Sequence, residues 1–170
     1  MLKSKEIKRT NSSNDSHYDN FTIFIKPGIV SQIYSMLATT FMDFYGFFIG
    51  QSKLIKQSNK SDNEIIEKVE LYLSIENVIF VYQRSYFNEK LEKLLDKITK
   101  KSMILGIFSA RNNSYPNISL REQEFYFKVK NYVKNICTPL IYGCFCHRQN
   151  LEELITIDFK SKLYMINENK

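Results

Sequence analysis

Histidine is scarce in this chain, with only His17 and His147 among 170 residues. Most histidine-based catalytic and zinc-binding arrangements are therefore excluded at the outset. Tryptophan is absent, and five Gly and three Pro are too few for a collagen-like or linker-dominated chain. The longest nearly unbroken apolar stretch, residues 41–50, is interrupted by Asp43. A bilayer-spanning helix needs about 20 apolar residues, so no membrane helix and no membrane partner are expected. The first 20 residues are polar and lack the apolar segment of a secretory signal. Cys137, Cys144 and Cys146 cannot all pair within one chain. Reduced thiols in a protein that is not secreted, nuclear and/or cytoplasmic, are the expectation. No Gly-rich phosphate loop, serine elbow or His-Glu-x-x-His pattern is present.

What is present is ordinary globular material, 44% apolar and 25% charged, enough for one domain with a real core. Residues 1–20 read as a basic and polar tail, residues 21–166 as the folded domain, and residues 167–170 as a short C-terminal tail. The net charge of +6 is mild for a dedicated nucleic-acid binder. Lysines do interleave with aromatics between Phe125 and Tyr132, as in modules that grip single strands. At helical spacing, however, Phe125, Val129 and Tyr132 share one face and the lysines lie elsewhere. A core stripe is the plainer reading, and no direct nucleic-acid contact is expected.

Along the chain, β-branched and aromatic residues at 21–25 predict a strand, and Ile29, Ile33, Met36 and Leu37 predict a short helix over 29–38. The apolar run 44–50 reads as a buried strand in which Gly46 and Gly50 allow close approach, and 51–63 reads as a polar loop. Val69, Leu71, Leu73 and Ile75 alternate with polar neighbours as a half-buried strand does, with a separate short strand expected over 78–82. Leu91, Leu94, Leu95 and Ile98 give the clearest helical stripe, over 88–101. Residues 103–108 follow as a central strand, then a polar loop over 109–118. Ser119-Leu-Arg-Glu122 has the capping-box pattern and opens a helix to about Asn135, its stripe made by Phe125, Val129, Tyr132 and Ile136. Segments 140–146, 153–159 and 162–166 read as strands. Helices interleaved with strands, without a βαβ rhythm, point to a mixed α/β domain.

Cys144-Phe-Cys146-His147 is the first cluster a metal search finds. A structural zinc site needs about four ligands, and only Cys137 and His17 remain to complete one. Adjacent strand residues point to opposite faces, so Cys146 and His147 are also poorly placed as a catalytic pair. Two thiols packed inward on one strand face are the plainer expectation.

At Met103-Ile-Leu-Gly-Ile-Phe-Ser-Ala-Arg-Asn112 the chain resembles an MPN (JAMM-type) domain. In active members of that family, a strand runs into His-x-His-Pro and, six residues later, Ser-x-x-Asp. A Glu precedes an upstream Gly-apolar-apolar-apolar-Gly strand. The two His and the Asp bind a catalytic zinc, and the Glu is the general base for peptide or isopeptide hydrolysis. Here Gly46-Phe-Phe-Ile-Gly50 matches that strand, with Asp43 at the Glu position. Ser109 and Arg111 fall at the two His positions, Asn112 at the Pro, Ser119 at the Ser and Glu122 at the Asp. Of the liganding positions only Glu122 offers a ligand group. At about 4 Å the Arg111 charge and a dication repel by several kcal/mol even at an effective dielectric near 20. The resemblance therefore implies an MPN-like scaffold, a mixed curved sheet flanked by helices, with vestigial positions Asp43, Ser109, Arg111, Ser119 and Glu122. No metal, other cofactor or hydrolase activity is expected, and Glu122 is expected to cap its helix.

Ile118-Ser-Leu-Arg-Glu122, Cys137-Thr-Pro-Leu-Ile141 and Cys144-Phe-Cys-His-Arg148 are similar, in order and spacing, to the Abraxas family. These are catalytically inactive MPN subunits of linkage-specific deubiquitinase complexes, including those of the DNA damage response. The resemblance implies a pseudoenzyme scaffold that pairs as a heterodimer with an active JAMM deubiquitinase, within a larger ubiquitin-directed assembly cutting extended, non-degradative chains. The same scaffold could instead serve a non-catalytic position in the proteasome lid or a translation initiation factor. Exposed members of the set Phe41, Phe44, Phe125, Tyr126 and Phe127 are the expected partner anchors. The plainer alternative is that they belong to the core.

Overall fold

The computed structural model describes residues 20–40, 42–61, 64–81, 88–133, 139–149 and 157–165. Apolar residues at alternate positions build six strands: β1 (Asn20–Ile25), β2 (Phe44–Ser61), β3 (Glu64–Val81), β4 (Met103–Asn112), β5 (Ile141–Gln149) and β6 (Ile157–Met165). Three helices interrupt them: α1 (Ile29–Thr40), α2 (Glu89–Thr99) and α3 (Leu120–Tyr132). The strands form one mixed sheet in the order β1-β3-β2-β4-β5-β6. β1 runs parallel to β3 and β4 parallel to β5, while the other neighbours are antiparallel.

Both faces of the sheet are covered, which explains why the central strands read as continuous apolar runs. On one face α2 and α3 bring Leu91, Leu95, Ile98, Phe125, Tyr126 and Val129 against Tyr45, Phe47, Ile107 and Tyr142. On the other, Ile29, Ile33 and Leu37 of α1 cover Phe48, Leu73, Phe108 and Phe145. A β-carbon on Gly46 would run into the Ile79 carbonyl of β3 and the Phe108 ring of β4, so only glycine fits between these two neighbouring strands. Each helix start has a local cause. Gly28 turns into α1 at φ +95, Asn88 accepts from the Leu91 N–H at 3.0 Å, and Ser119 with Glu122 forms the expected capping box.

Several expectations change. Residues 51–61 are not a loop: β2 continues through them, pairing residue by residue with β3 to Ser61↔Glu64. β4 pairs with β2 only as far as Gly50 and β1 with β3 only from Glu70, which lies opposite Ile55, so beyond that pair residues 56–61 and 64–69 form a two-stranded ribbon about 20 Å long. Within the 51–61 stretch Gln51, Lys53, Leu54 and Lys56 are exposed, so polar and apolar positions do not alternate there. The strands expected at 69–75 and 78–82 are one strand, Tyr82 lying outside the described residues. A bulge at Glu76 changes the buried set from Leu71, Leu73 and Ile75 to Val78, breaking the period-2 phase. Likewise β4 extends through Ser109 to Asn112 instead of giving way to a loop, because these polar residues pair with Cys144 to His147 of β5. The two C-terminal strands are the single β6, with residues 153–156 and 166 outside the described set.

α3 ends at Tyr132, and Asn135 and Ile136 lie outside the described residues. Tyr132 is exposed, not part of the core stripe, and its hydroxyl donates to Asp96 of α2 at 2.7 Å. Among the described residues no helix is long and apolar enough to cross a membrane.

Candidate functional site

The end of β4, the start of α3 and the turn into β2 converge at one end of the sheet. Asp43, just before β2, accepts the Asn112 N–H on Oδ1 at 2.9 Å. Arg111 of β4 stands across the parallel ladder from Cys146, and Ser109 across from Cys144. At the head of α3, Glu122 Oε2 accepts from both the N–H and the hydroxyl of Ser119, each at 2.7 Å. Its other oxygen lies 3.6 Å from Arg111 Nε.

Arg111 is the centre of this arrangement. Its Nη2 donates to the Tyr115 carbonyl at 2.9 Å and to the Asn117 carbonyl, stitching the 113–119 loop to the strand. Its Nε is buried and has no hydrogen bond of its own among the described residues, leaving the Glu122 charge as its compensation. Burial works against the guanidinium charge. The Glu122 carboxylate foremost outweighs it and holds Arg111 above its ordinary value.

The neighbouring titratable groups are pushed toward their neutral forms. Burial raises the Cys144 thiol to about 11, with Glu122 adding to the effect, and burial also raises Cys146 despite the opposing pull of Arg111. Tyr142 is raised by burial and then by Glu122. Ser109 donates to Cys144 Sγ at 3.9 Å within the core. Thiols held this way are poor nucleophiles and poor ligands.

Arg111, Ser119 and Glu122 are thus joined into one connected cluster, with Ser109 on the same face of β4 as Arg111 one pair further in, while Asp43 is tied to the same strand end through the Asn112 N–H. The donors do not suit a catalytic zinc, which takes three protein ligands and one open position. The one buried carboxylate is already shared between an N–H, a hydroxyl and a guanidinium, and the position beside it carries a fixed positive charge. Among the described residues no three or more His, Cys, Asp and Glu gather as a metal-holding group.

The proposed partner anchors are mostly interior. Phe44 meets Phe80 and Phe108 edge-on, Phe125 packs 4.9 Å from the Tyr45 ring, and the Tyr126 hydroxyl donates to the Leu140 carbonyl at 2.6 Å. All three are buried in the chain's own core, so their surface is already spent on folding. Phe127 is partly buried against the α2–α3 core, and Phe41 lies outside the described residues. The exposed apolar side chains near the cluster are Met42, Tyr115 and Leu120, the last 79% exposed.

Two contacts here had no sequence signal. Asn112 Oδ1 accepts from His147 Nδ1 at 2.6 Å, and the Arg148 guanidinium stacks over Tyr115 while donating to its hydroxyl at 2.7 Å. Both depend on the parallel β4–β5 pairing, which spans some thirty-five residues and which no local pattern specifies. No protein-family model matches the sequence. No curated protein matches it significantly either.

Proposed function

We propose that this chain is an MPN-like pseudoenzyme, an Abraxas-type scaffold that docks onto an active JAMM deubiquitinase and contributes no hydrolytic group itself. The observation that carries the reading is the Arg111 guanidinium, held between Glu122 and the Tyr115 and Asn117 carbonyls where the resemblance puts a zinc ligand. A fixed cation there supplies internally the charge neutralisation that a metal would give, without a site for an activated water. Asp43, at the general-base position, is engaged with a backbone N–H instead. Function then rests on the surface, where Met42, Tyr115 and Leu120, close in sequence to Asp43, Arg111 and Ser119, are exposed apolar side chains. A scaffold changes its partner's activity only by binding the competent conformation more tightly than the idle one. A stable heterodimer of this kind is expected to bury about 1,600 Å².

The test is affinity purification of the full chain from its native source, with mass spectrometry of the eluate. It is paired with zinc analysis and a diubiquitin cleavage assay on the isolated chain. Recovery of an active JAMM subunit, with no zinc and no cleavage by the chain alone, supports the reading. Recovery of proteasome-lid or initiation-factor subunits moves the same scaffold to another assembly. Zinc that departs in Glu122→Ala overturns it.

A further inference from the structure

Strand β6 closes one end of the sheet and, among the described residues, pairs only with β5. Its nine residues contain neither Pro nor Gly, so one side presents a long row of N–H and C=O groups able to take another strand. The register sorts its side chains. Lys160 and Lys162 stand opposite Cys146 and Cys144, while Phe159 and Ser161 stand opposite His147 and Phe145. Cys144 belongs to the α2–α3 core and Phe145 to the α1 core. Both lysines therefore lie on the α3 side of the edge and Phe159 on the α1 side. Lys160 and Lys162 are exposed, and Phe159 is 42% exposed even though it packs against Tyr34 and His147.

A second copy is a poor occupant. The antiparallel self-pairing that uses all nine residues is centred on Ser161 and sets Lys160 directly against Lys162 twice, and like charges directly opposite are destabilising; the register centred on Phe159, which sets Lys160 against Asp158, pairs only residues 157–161. The same lysines favour opposite charge. We propose that the β6 edge accepts an extended segment of a partner protein in which acidic residues alternate with apolar ones. The acids stand beside Lys160 and Lys162, and the apolar residues beside Phe159 and Leu163. The alternation follows from the strand's period of two, main-chain bonds giving affinity and side chains giving selection. This inference does not depend on the pseudoenzyme reading, since β6 carries none of the vestigial positions.

The test titrates the full chain separately with two capped nine-residue peptides, one alternating glutamate and valine and one alternating lysine and valine, followed by calorimetry and by β6 amide shifts. The Lys160→Glu/Lys162→Glu variant is expected to weaken binding by about tenfold or more and to favour the lysine–valine peptide. Lys160→Gln/Lys162→Gln, which adds no new charge, is expected to fall between the two. N-methylation of alternate peptide amides removes ladder donors without changing charge, and is expected to weaken binding by about tenfold as well. The proposal is overturned by no binding at millimolar peptide, equal binding of the two peptides, or indifference to N-methylation. Preference of the same lysines for a single-stranded oligonucleotide overturns it too.

Discussion

Arg111 Nε and Glu122 Oε1 face each other at 3.6 Å, tying the end of β4 to the first turn of α3. Both side chains are largely withdrawn from water, so neither charge is cheaply left alone. Arg111→Met is expected to cost about 2–3 kcal/mol, because it strands the Glu122 carboxylate and frees the Tyr115 and Asn117 carbonyls. Urea unfolding of the two single variants and the double variant with Glu122→Gln checks this. The coupling is expected at about 1 kcal/mol or more, and additive losses would mean the pair is not energetically joined.

Ser119→Ala removes the hydroxyl that both accepts from the Glu122 N–H and donates to its carboxylate. A loss of about 1 kcal/mol is expected, with an unchanged urea dependence. Ser119→Asp keeps a capping acceptor but places a second carboxylate beside Glu122, so it is expected to recover less than the usual cap.

Asp43 gives a sharper contrast. Its Oδ1 accepts the Asn112 N–H, a role that Asp43→Asn preserves and Asp43→Ala removes. Amide hydrogen exchange at Asn112 is expected to stay slow in the first variant and accelerate in the second, with a stability loss of about 1 kcal/mol. Equal protection in both would mean that the contact is not maintained in solution.

Alkaline pH is expected to weaken the fold through Cys144. The thiol's ordinary value is 9.0 and burial raises it to about 11, so the folded state holds the proton longer than the unfolded chain does. Its contribution is complete below pH 9 and is lost as pH rises through 11, a drop of at most about 3 kcal/mol. Cys144→Ala removes this component, leaving a shallower decline in denaturation midpoints between those values. An unchanged slope would assign the decline to the buried tyrosines instead.

How far the sequence could be read depended on whether each signal was local. Leu91, Leu95 and Ile98 show their burial through helical spacing, and Ser119 and Glu122 show the capping box because both partners lie within one turn. The Arg111–Glu122 contact had no local signal, because it joins the end of β4 to the first turn of α3 across an intervening loop. Asn112–His147 was not reachable, since it arises from a parallel pairing between distant strands. Where the sheet extends past its covering helices, as in residues 51–61, polar strand and polar loop have the same composition. Phe44, Phe125 and Tyr126 illustrate the converse: large aromatic rings look alike in sequence whether they fill a core or await a partner.

The two parallel pairings also set the order of assembly. Asn20 of β1 meets Glu70 of β3, and Gly106 of β4 meets Ile141 of β5, so both require closure over long intervening stretches. The β2–β3 ribbon has far less chain to close and can zip first. A nascent chain leaving the ribosome carries β1 unpaired until β3 has also emerged, with Phe21, Ile23 and Ile25 still uncovered. In that interval the apolar face of β1 is expected to be most open to non-native association.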